Sequence, residues 1–242
     1  MILSKFFPTK LKRGAYLCAV LIGESICLIH ADEPTPTSPG NVVTLTPAPP
    51  STPQIHGPGI FGVRLGSPFL YTIPATGDRP MTFSADGLPV GLKLDEKNGQ
   101  ITGTLTQRGV SHVTLHAKNS LGQVDRSFKI VVGDEIALTP PMGWNTYNCW
   151  ANNISQEKVL HSARALVKAG LDQHGWTYIN IDDGWQGARG GEFHGILADP
   201  KTFPDFKGMA DEIHGMGLKL GIYSTPWVTS YAHFIGGSSE NP

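Results

Sequence analysis

The chain has 242 residues, a formal net charge of −1 and a charged fraction of 16%. That length suits one large domain or two modest ones, and the near-neutral balance, with no basic run outside the N-terminus, argues against a nucleic-acid partner. No apolar stretch reaches the ~18 residues of a spanning helix, so no integral membrane span is expected in the mature chain.

Residues 1–31 read as an export signal. Lys5, Lys10, Lys12 and Arg13 precede an apolar segment from Ala15 to Ile29, the order that a signal peptide requires. A secreted, periplasmic or cell-surface location, reached by a bacterial-type signal, is the expectation. Residues 32–53 are rich in Pro, Thr and Ser with few large apolar side chains, which is the composition of a linker. Cys18 and Cys27 fall inside the signal, so the mature chain keeps only Cys149. One cysteine forms no internal disulfide, and Cys149 is expected to be an inert buried thiol.

Residues 54–133 change to short alternating runs. Val113, Leu115 and Ala117 share one face of a run whose other face carries His112, Thr114 and His116, and Phe128, Ile130 and Val132 repeat the pattern. Period-2 alternation predicts half-buried strands, which puts His112 and His116 on the solvent face. Asn98-Gly99, between Leu92-Lys93-Leu94 and Gln100-Ile101-Thr102, predicts a tight hairpin with φ > 0 at both turn residues. Six or seven such strands in about eighty residues make a small β-sandwich. Gly87-Leu88-Pro89-Val90-Gly91-Leu92, Gly99-Gln100-Ile101-Thr102-Gly103-Thr104 and Ala117-Lys118-Asn119-Ser120-Leu121-Gly122 resemble the Ig-like modules attached to bacterial surface and secreted enzymes. No catalytic constellation lies in this segment.

From residue 134 to 242 strands alternate with helices. Ser155 predicts a helix cap ahead of an apolar face of Val159, Ala163, Leu166 and Val167. A strand-like run then ends at Asp182. A second helix is expected from about Lys207 to Met216, with Gly217 as its C-cap, and Leu218 to Ser224 is the next strand. This order implies a parallel sheet, either open or closed into a (β/α)₈ barrel.

The chemistry concentrates in Asn180-Ile181-Asp182-Asp183-Gly184-Trp185. Ionised carboxylates only accept hydrogen bonds, with about four lone-pair sites each, so adjacent acids at a strand end can hold several sugar hydroxyls from one side. Asp-Asp-Gly alone equally suits a turn.

Its flanks add specificity. Thr139-Pro140-Pro141-Met142-Gly143-Trp144-Asn145-Thr146-Tyr147-Asn148, Tyr178 to Trp185, Asp199-Pro200-Lys201-Thr202-Phe203-Pro204 and His214 to Ser224 together resemble the catalytic barrel of glycoside hydrolase family 27, the α-galactosidases. The resemblance implies a retaining enzyme acting on terminal α-galactosides of oligosaccharides or polysaccharides, with Asp182 and Asp183 binding hydroxyls of the terminal galactose. Tyr147 stands where the family usually has tryptophan, and Tyr223 matches a tyrosine bordering the pocket. Trp144 and Trp185 could also stack on a sugar, with core packing the expected role of Trp144.

In the family both catalytic aspartates lie on later strands, so the resemblance places no catalytic residue within this chain. A (β/α)₈ barrel typically needs about 250 residues, whereas about a hundred follow Gly133. The expectation is therefore a fragment holding the first three strand–helix units, inactive by itself. Thr225-Pro226-Trp227-Val228-Thr229-Ser230-Tyr231 replaces a cysteine-bearing loop of the family. No cofactor is implied, and the spacing of His161, His174, His194, His214 and His233 assigns no metal.

Two other readings suit the same sequence. One is a related α-glycan hydrolase on the same barrel, acting on α-N-acetylgalactosamine, β-arabinopyranose or isomaltose units. The other is a non-catalytic carbohydrate-binding or adhesion protein.

Overall fold

The computed structural model describes residues 48–238. The expected export signal and most of the expected linker lie outside the described residues. Residues 51–53, expected at the linker's end, are held on the sandwich: Ser51 O accepts from Asp78 N at 2.9 Å and from Asn119 Nδ2 at 2.8 Å, and Pro53 is buried.

Nine strands follow: β1 (Gln54–Ile55), β2 (Ile60–Val63), β3 (Pro68–Thr72), β4 (Ala75–Thr76), β5 (Thr82–Asp86), β6 (Leu92–Leu94), β7 (Gln100–Thr104), β8 (Gly109–Asn119) and β9 (Gly122–Val132). A four-stranded sheet of order β2-β9-β8-β5 faces a three-stranded sheet of order β3-β7-β6, and β1 pairs with β4. The alternation predicted from sequence fills the space between them. Phe69, Ile101, Val113, Leu115, Phe128 and Ile130 form one buried cluster, and an Ig-like sandwich is the result. The β6–β7 connection is wider than the expected two-residue turn. Asp95 organises it by accepting from Lys97 N (2.8 Å), while Gly99 N donates to Asp95 O (2.9 Å). Only Gly99 takes a positive φ (74°). His112 is exposed, as expected, but His116 is largely covered, its ring held by Asp125 (2.6 Å) and Asp86 (3.2 Å).

The second part contains β10 (Gly143–Asn145), α1 (Tyr147–Trp150), α2 (Gln156–Lys168), β11 (Tyr178–Ile181), β12 (Gln186–Gly190), β13 (Gly195–Ala198), α3 (Phe206–Gly215) and β14 (Lys219–Ile222). β10, β11 and β14 make a parallel sheet in that order. Ser155 caps α2 by accepting from Lys158 N, and Asp205 caps α3 by accepting from Gly208 N. The helices bury Val159, Ala163, Leu166, Met209 and Ile213 against Ile179 and Ile181 of β11. This is the start of a (β/α)₈ barrel: three strands and two crossover helices, with no helix after β14 among the described residues. The hairpin β12–β13 was not apparent in the sequence.

Register fixes what the opposite face of the sheet carries. Gly143, Tyr178 and Lys219 are aligned, then Asn145, Asn180 and Gly221 one layer up. Successive strand residues alternate faces, so Asp182 and Tyr223 continue this face at the C-terminal end. Ile179, Ile181 and Leu220 belong to the helix side.

The sandwich closes the lower end of that face. Lys219 Nζ sits 4.8 Å from the Phe61 ring centroid, 5.7 Å from Tyr71 and 5.1 Å from Tyr178. Thr72 Oγ1 donates to Gly217 O (2.8 Å), and Gln100 Nε2 donates to Gly215 O (3.2 Å). Gly217 serves twice: its φ of +79° ends α3, and a Cβ there would come within 2.4 Å of Thr72 Oγ1. Burial pushes the Lys219 ammonium down to about 8, since a charge leaving water loses hydration.

Candidate active site

The C-terminal ends of β10, β11 and β14 converge, as the strand ends of a barrel do where its active site lies. Backbone pairing of β10 with β11 puts Asn145 beside Asn180, and Thr146 continues it, with its N donating to Asn180 O at 3.1 Å. Thr146 is fully buried, and its Oγ1 accepts from Asp182 N at 2.9 Å. Asn145 Nδ2 donates to Asp182 Oδ2 at 2.8 Å, and Asp183 N donates to Asp182 Oδ1 at 2.8 Å. Each Asp182 oxygen thus has one fixed partner and, with two lone pairs each, a further acceptor site. Asp182 is half-buried at the open end of the sheet.

Asp183 is placed differently. It is 2% exposed. Gln186 Nε2 donates to Asp183 Oδ1 at 2.8 Å, and Ala232 N donates to Asp183 Oδ2 at 3.0 Å. It therefore braces the loop after β14, while Asp182 faces the opening. Gly184 allows the chain to turn between them and the core: its φ is +102°, and a Cβ would lie 2.6 Å from Asn152 O. Asp-Asp-Gly is thus a turn at Gly184, with Asp182 left at the opening.

Tyr223 directly follows β14, its N donating to Ile181 O at 2.8 Å. Burial, and then the negative charges of Asp183 and Asp182, push its phenol up, against the opposing pull of the Tyr231 backbone amide. Tyr147 is 42% exposed at the start of α1, its N donating to Asn145 Oδ1 at 2.9 Å. The four residues singled out from sequence, Asp182, Asp183, Tyr147 and Tyr223, thus belong to one strand-end cluster.

Trp185 is not a stacking platform. It is 5% exposed, packs against Phe206, and its Nε1 donates to Tyr223 O at 2.8 Å. Trp144 packs against the helix-side core, as expected. Cys149 corrects an expectation: it is an exposed free thiol rather than a buried one, because α1 is a single turn with no buried residue. Sequence reading missed Asn145, Thr146 and Gln186. Asn145 ends β10 and Thr146 directly follows it, and their placement beside Asp182 emerges only from the strand register. Among the described residues no group of three His, Cys, Asp or Glu is arranged to hold a metal ion, and no helix is long and apolar enough to cross a membrane.

Residues 49–133 match the family model described as "Putative Ig domain", and residues 139–240 match the one described as "Alpha galactosidase A". A "Probable alpha-galactosidase" of Dictyostelium discoideum is 46% identical over 90 residues, covering 37% of this chain and 23% of that protein. "Alpha-galactosidase A" of Cellvibrio japonicus is 43% identical over 101 residues, covering 41% and 24%. A crystal structure from Bacteroides fragilis, titled "putative alpha-galactosidase", aligns with a TM-score of 0.72 at 42% identity, covering 77% of this chain and 40% of that one. The chain thus spans about a quarter of the length of these curated relatives. Residues 139–240 are thus similar to the α-galactosidases of glycoside hydrolase family 27, and they follow a segment, residues 49–133, that is similar to Ig-like modules.

Proposed function

We propose that the protein carrying this chain is an exported, retaining glycosidase that removes terminal α-galactosyl units from oligosaccharides or polysaccharides. The observation that carries this reading is Asp182, held by Asn145 and by Asp183 N, with acceptor capacity left over beside Tyr223. A fixed carboxylate facing an opening accepts from sugar hydroxyls. A site built around hydroxyl partners rejects the epimer that leaves those partners unpaired.

Each residue has its own task in this reading. Asp182 accepts directly from hydroxyls of the terminal sugar. Asp183 holds the loop after β14 in place through Ala232 N and Gln186. Tyr223 and Tyr147 supply ring faces at the rim. The two acids are not the pair that cleaves the bond. Retaining enzymes place two carboxyls roughly 5–5.5 Å apart across the scissile bond, whereas Asp183 is buried with a partner on each oxygen. The attacking and protonating carboxylates belong, on this proposal, to later strands of the barrel.

The test uses the full-length protein and an aryl α-galactoside, with proton NMR of the first-formed sugar. The expected result is galactose released first as the α-anomer. Release of the β-anomer first, or a marked preference for an α-N-acetylgalactosaminide or a β-arabinopyranoside, overturns the assignment.

A further inference from the structure

Each of the two acids after β11 is met by one amide side chain, and both amides have their orientation fixed from behind. Asn145, the last residue of β10, accepts from Tyr147 N through Oδ1 at 2.9 Å and donates from Nδ2 to Asp182 Oδ2 at 2.8 Å. Gln186, the first residue of β12, accepts from Gly184 N through Oε1 at 2.9 Å and donates from Nε2 to Asp183 Oδ1 at 2.8 Å. Turning either amide over would set its NH2 against a backbone N–H and its oxygen against a carboxylate. Two attractive contacts would become two repulsive ones. In both places a backbone N–H therefore decides which end of the amide faces the acid.

The choice of an amide has a chemical consequence. Lysine or arginine in the same position would orient the acid and also neutralise it. A carboxamide fixes the direction of the carboxylate and leaves its charge for a ligand or a backbone N–H. Among the described residues neither Asp182 nor Asp183 forms a salt bridge.

We propose that Asn145 and Gln186 are positioning residues, one for each acid, which hold Asp182 and Asp183 as oriented carboxylates without neutralising them. Asn145 sets the lone pairs that Asp182 turns to the sugar, and Gln186 sets Asp183 for Ala232 N at 3.0 Å. This rests on the galactosyl reading of Asp182.

The test measures kcat/KM of the full-length protein on an aryl α-galactoside between about pH 5 and about pH 8. Each variant is divided by wild type at the same pH and checked for wild-type circular dichroism. The division removes the titration of groups that the variants share, including Asp183 and Tyr223 beside Asp182. Asn145→Asp keeps the acceptor for Tyr147 N but replaces the NH2 by an oxygen, so two carboxylates meet across the former hydrogen bond. Such a pair does not ionise twice near neutral pH; it takes up one proton as the pH falls, and the donor is restored.

The expected ratio for Asn145→Asp is about tenfold below wild type near pH 8, closing to within about threefold near pH 5. Asn145→Ala has no group to protonate and stays about tenfold down across the range. Gln186→Glu follows the same course as Asn145→Asp. Gln186→Met keeps the side-chain length without a donor and gives a loss that is flat with pH, which tests Gln186 even where a buried acid pair prevents folding. A flat ratio for Asn145→Asp, or wild-type kinetics in Asn145→Ala, overturns the positioning role, while a loss in Asp182→Ala keeps the galactosyl reading. Wild-type kinetics in Gln186→Met overturn the assignment of Gln186. Wild-type kinetics in Asp182→Ala overturn that reading and the inference together.

Discussion

The Ig-like sandwich and the barrel sheet are both built from alternating strands, yet they use the alternation differently. In the sandwich two sheets close on one another, and Ile101, Leu115 and Ala117 between them are fully buried. In the barrel sheet only the helix side is finished, with Ile179, Ile181 and Ile213 fully buried. Its other face carries Tyr178 and Lys219, then Asn145 and Asn180, then Asp182 and Tyr223. Those side chains are too polar for a dry core. The sandwich covers the lowest of these layers, and the highest holds the candidate site about 13 Å away, at about 3.3 Å per strand residue. The stable surface and the functional surface are thus two faces of one sheet.

The largest effect that would break this comparison comes from separating the parts. Residues 48–133 alone should unfold in one cooperative transition, since their core is complete. Residues 134–242 alone should show no cooperative transition. They would expose Tyr178 and Lys219 as well as β10 and β14, each paired on one side only among the described residues. Urea titration followed by near-UV circular dichroism measures both. A sharp transition in the second piece would show that the sandwich is a passenger.

A smaller effect tests the seam. Lys219 is lowered from 10.5 to about 8 by burial, so above pH 8 the unfolded chain binds more protons and stability rises with pH. Tyr71 and Tyr178 act in the opposite sense: burial raises both phenols, so their contribution is lost once unfolded tyrosine ionises near pH 10. Arg126 adds a weaker opposing influence on Tyr71. Stability should therefore climb between about pH 8 and 9.5, by up to about 2 kcal/mol, and then fall. Lys219→Met should remove the climb. A flat wild-type profile would mean that the three ring faces offset the burial of the ammonium.

The smallest effect lies between the helices. Arg164 Nε donates to Glu212 Oε1 at 2.8 Å across α2 and α3, but both side chains are largely exposed. Arg164→Ala should cost under about 1 kcal/mol in chemical denaturation. A loss of several kcal/mol would show that the helix layer depends on ion pairing rather than on Val159, Ala163 and Ile213.

Much of this was legible in the sequence because the signals are local. Alternation at Val113, Leu115 and Ala117 and the caps at Ser155 and Gly217 require only neighbours in the chain. The strand ending at Asp182 was legible for the same reason. The hairpin at residues 186–198 was not, because Gln186-Gly187-Ala188-Arg189-Gly190 has no apolar alternation. The different fates of Asp182 and Asp183 were equally hidden. They depend on Asn145 from another strand and on Ala232, 49 residues downstream of Asp183. The exposure of Cys149 and the aromatic box around Lys219 are likewise products of tertiary placement.

The most direct test of the account is Asp182→Ala in the full-length protein, with kcat and KM measured on an aryl α-galactoside. A lost hydrogen bond to a charged group is worth about 1.5–3 kcal/mol. The account therefore predicts a ten- to hundredfold fall in kcat/KM, about 1.4 kcal/mol per factor of ten, with circular dichroism unchanged. Wild-type kinetics from a correctly folded Asp182→Ala protein would contradict it, leaving Asp-Asp-Gly as a turn that happens to end a strand.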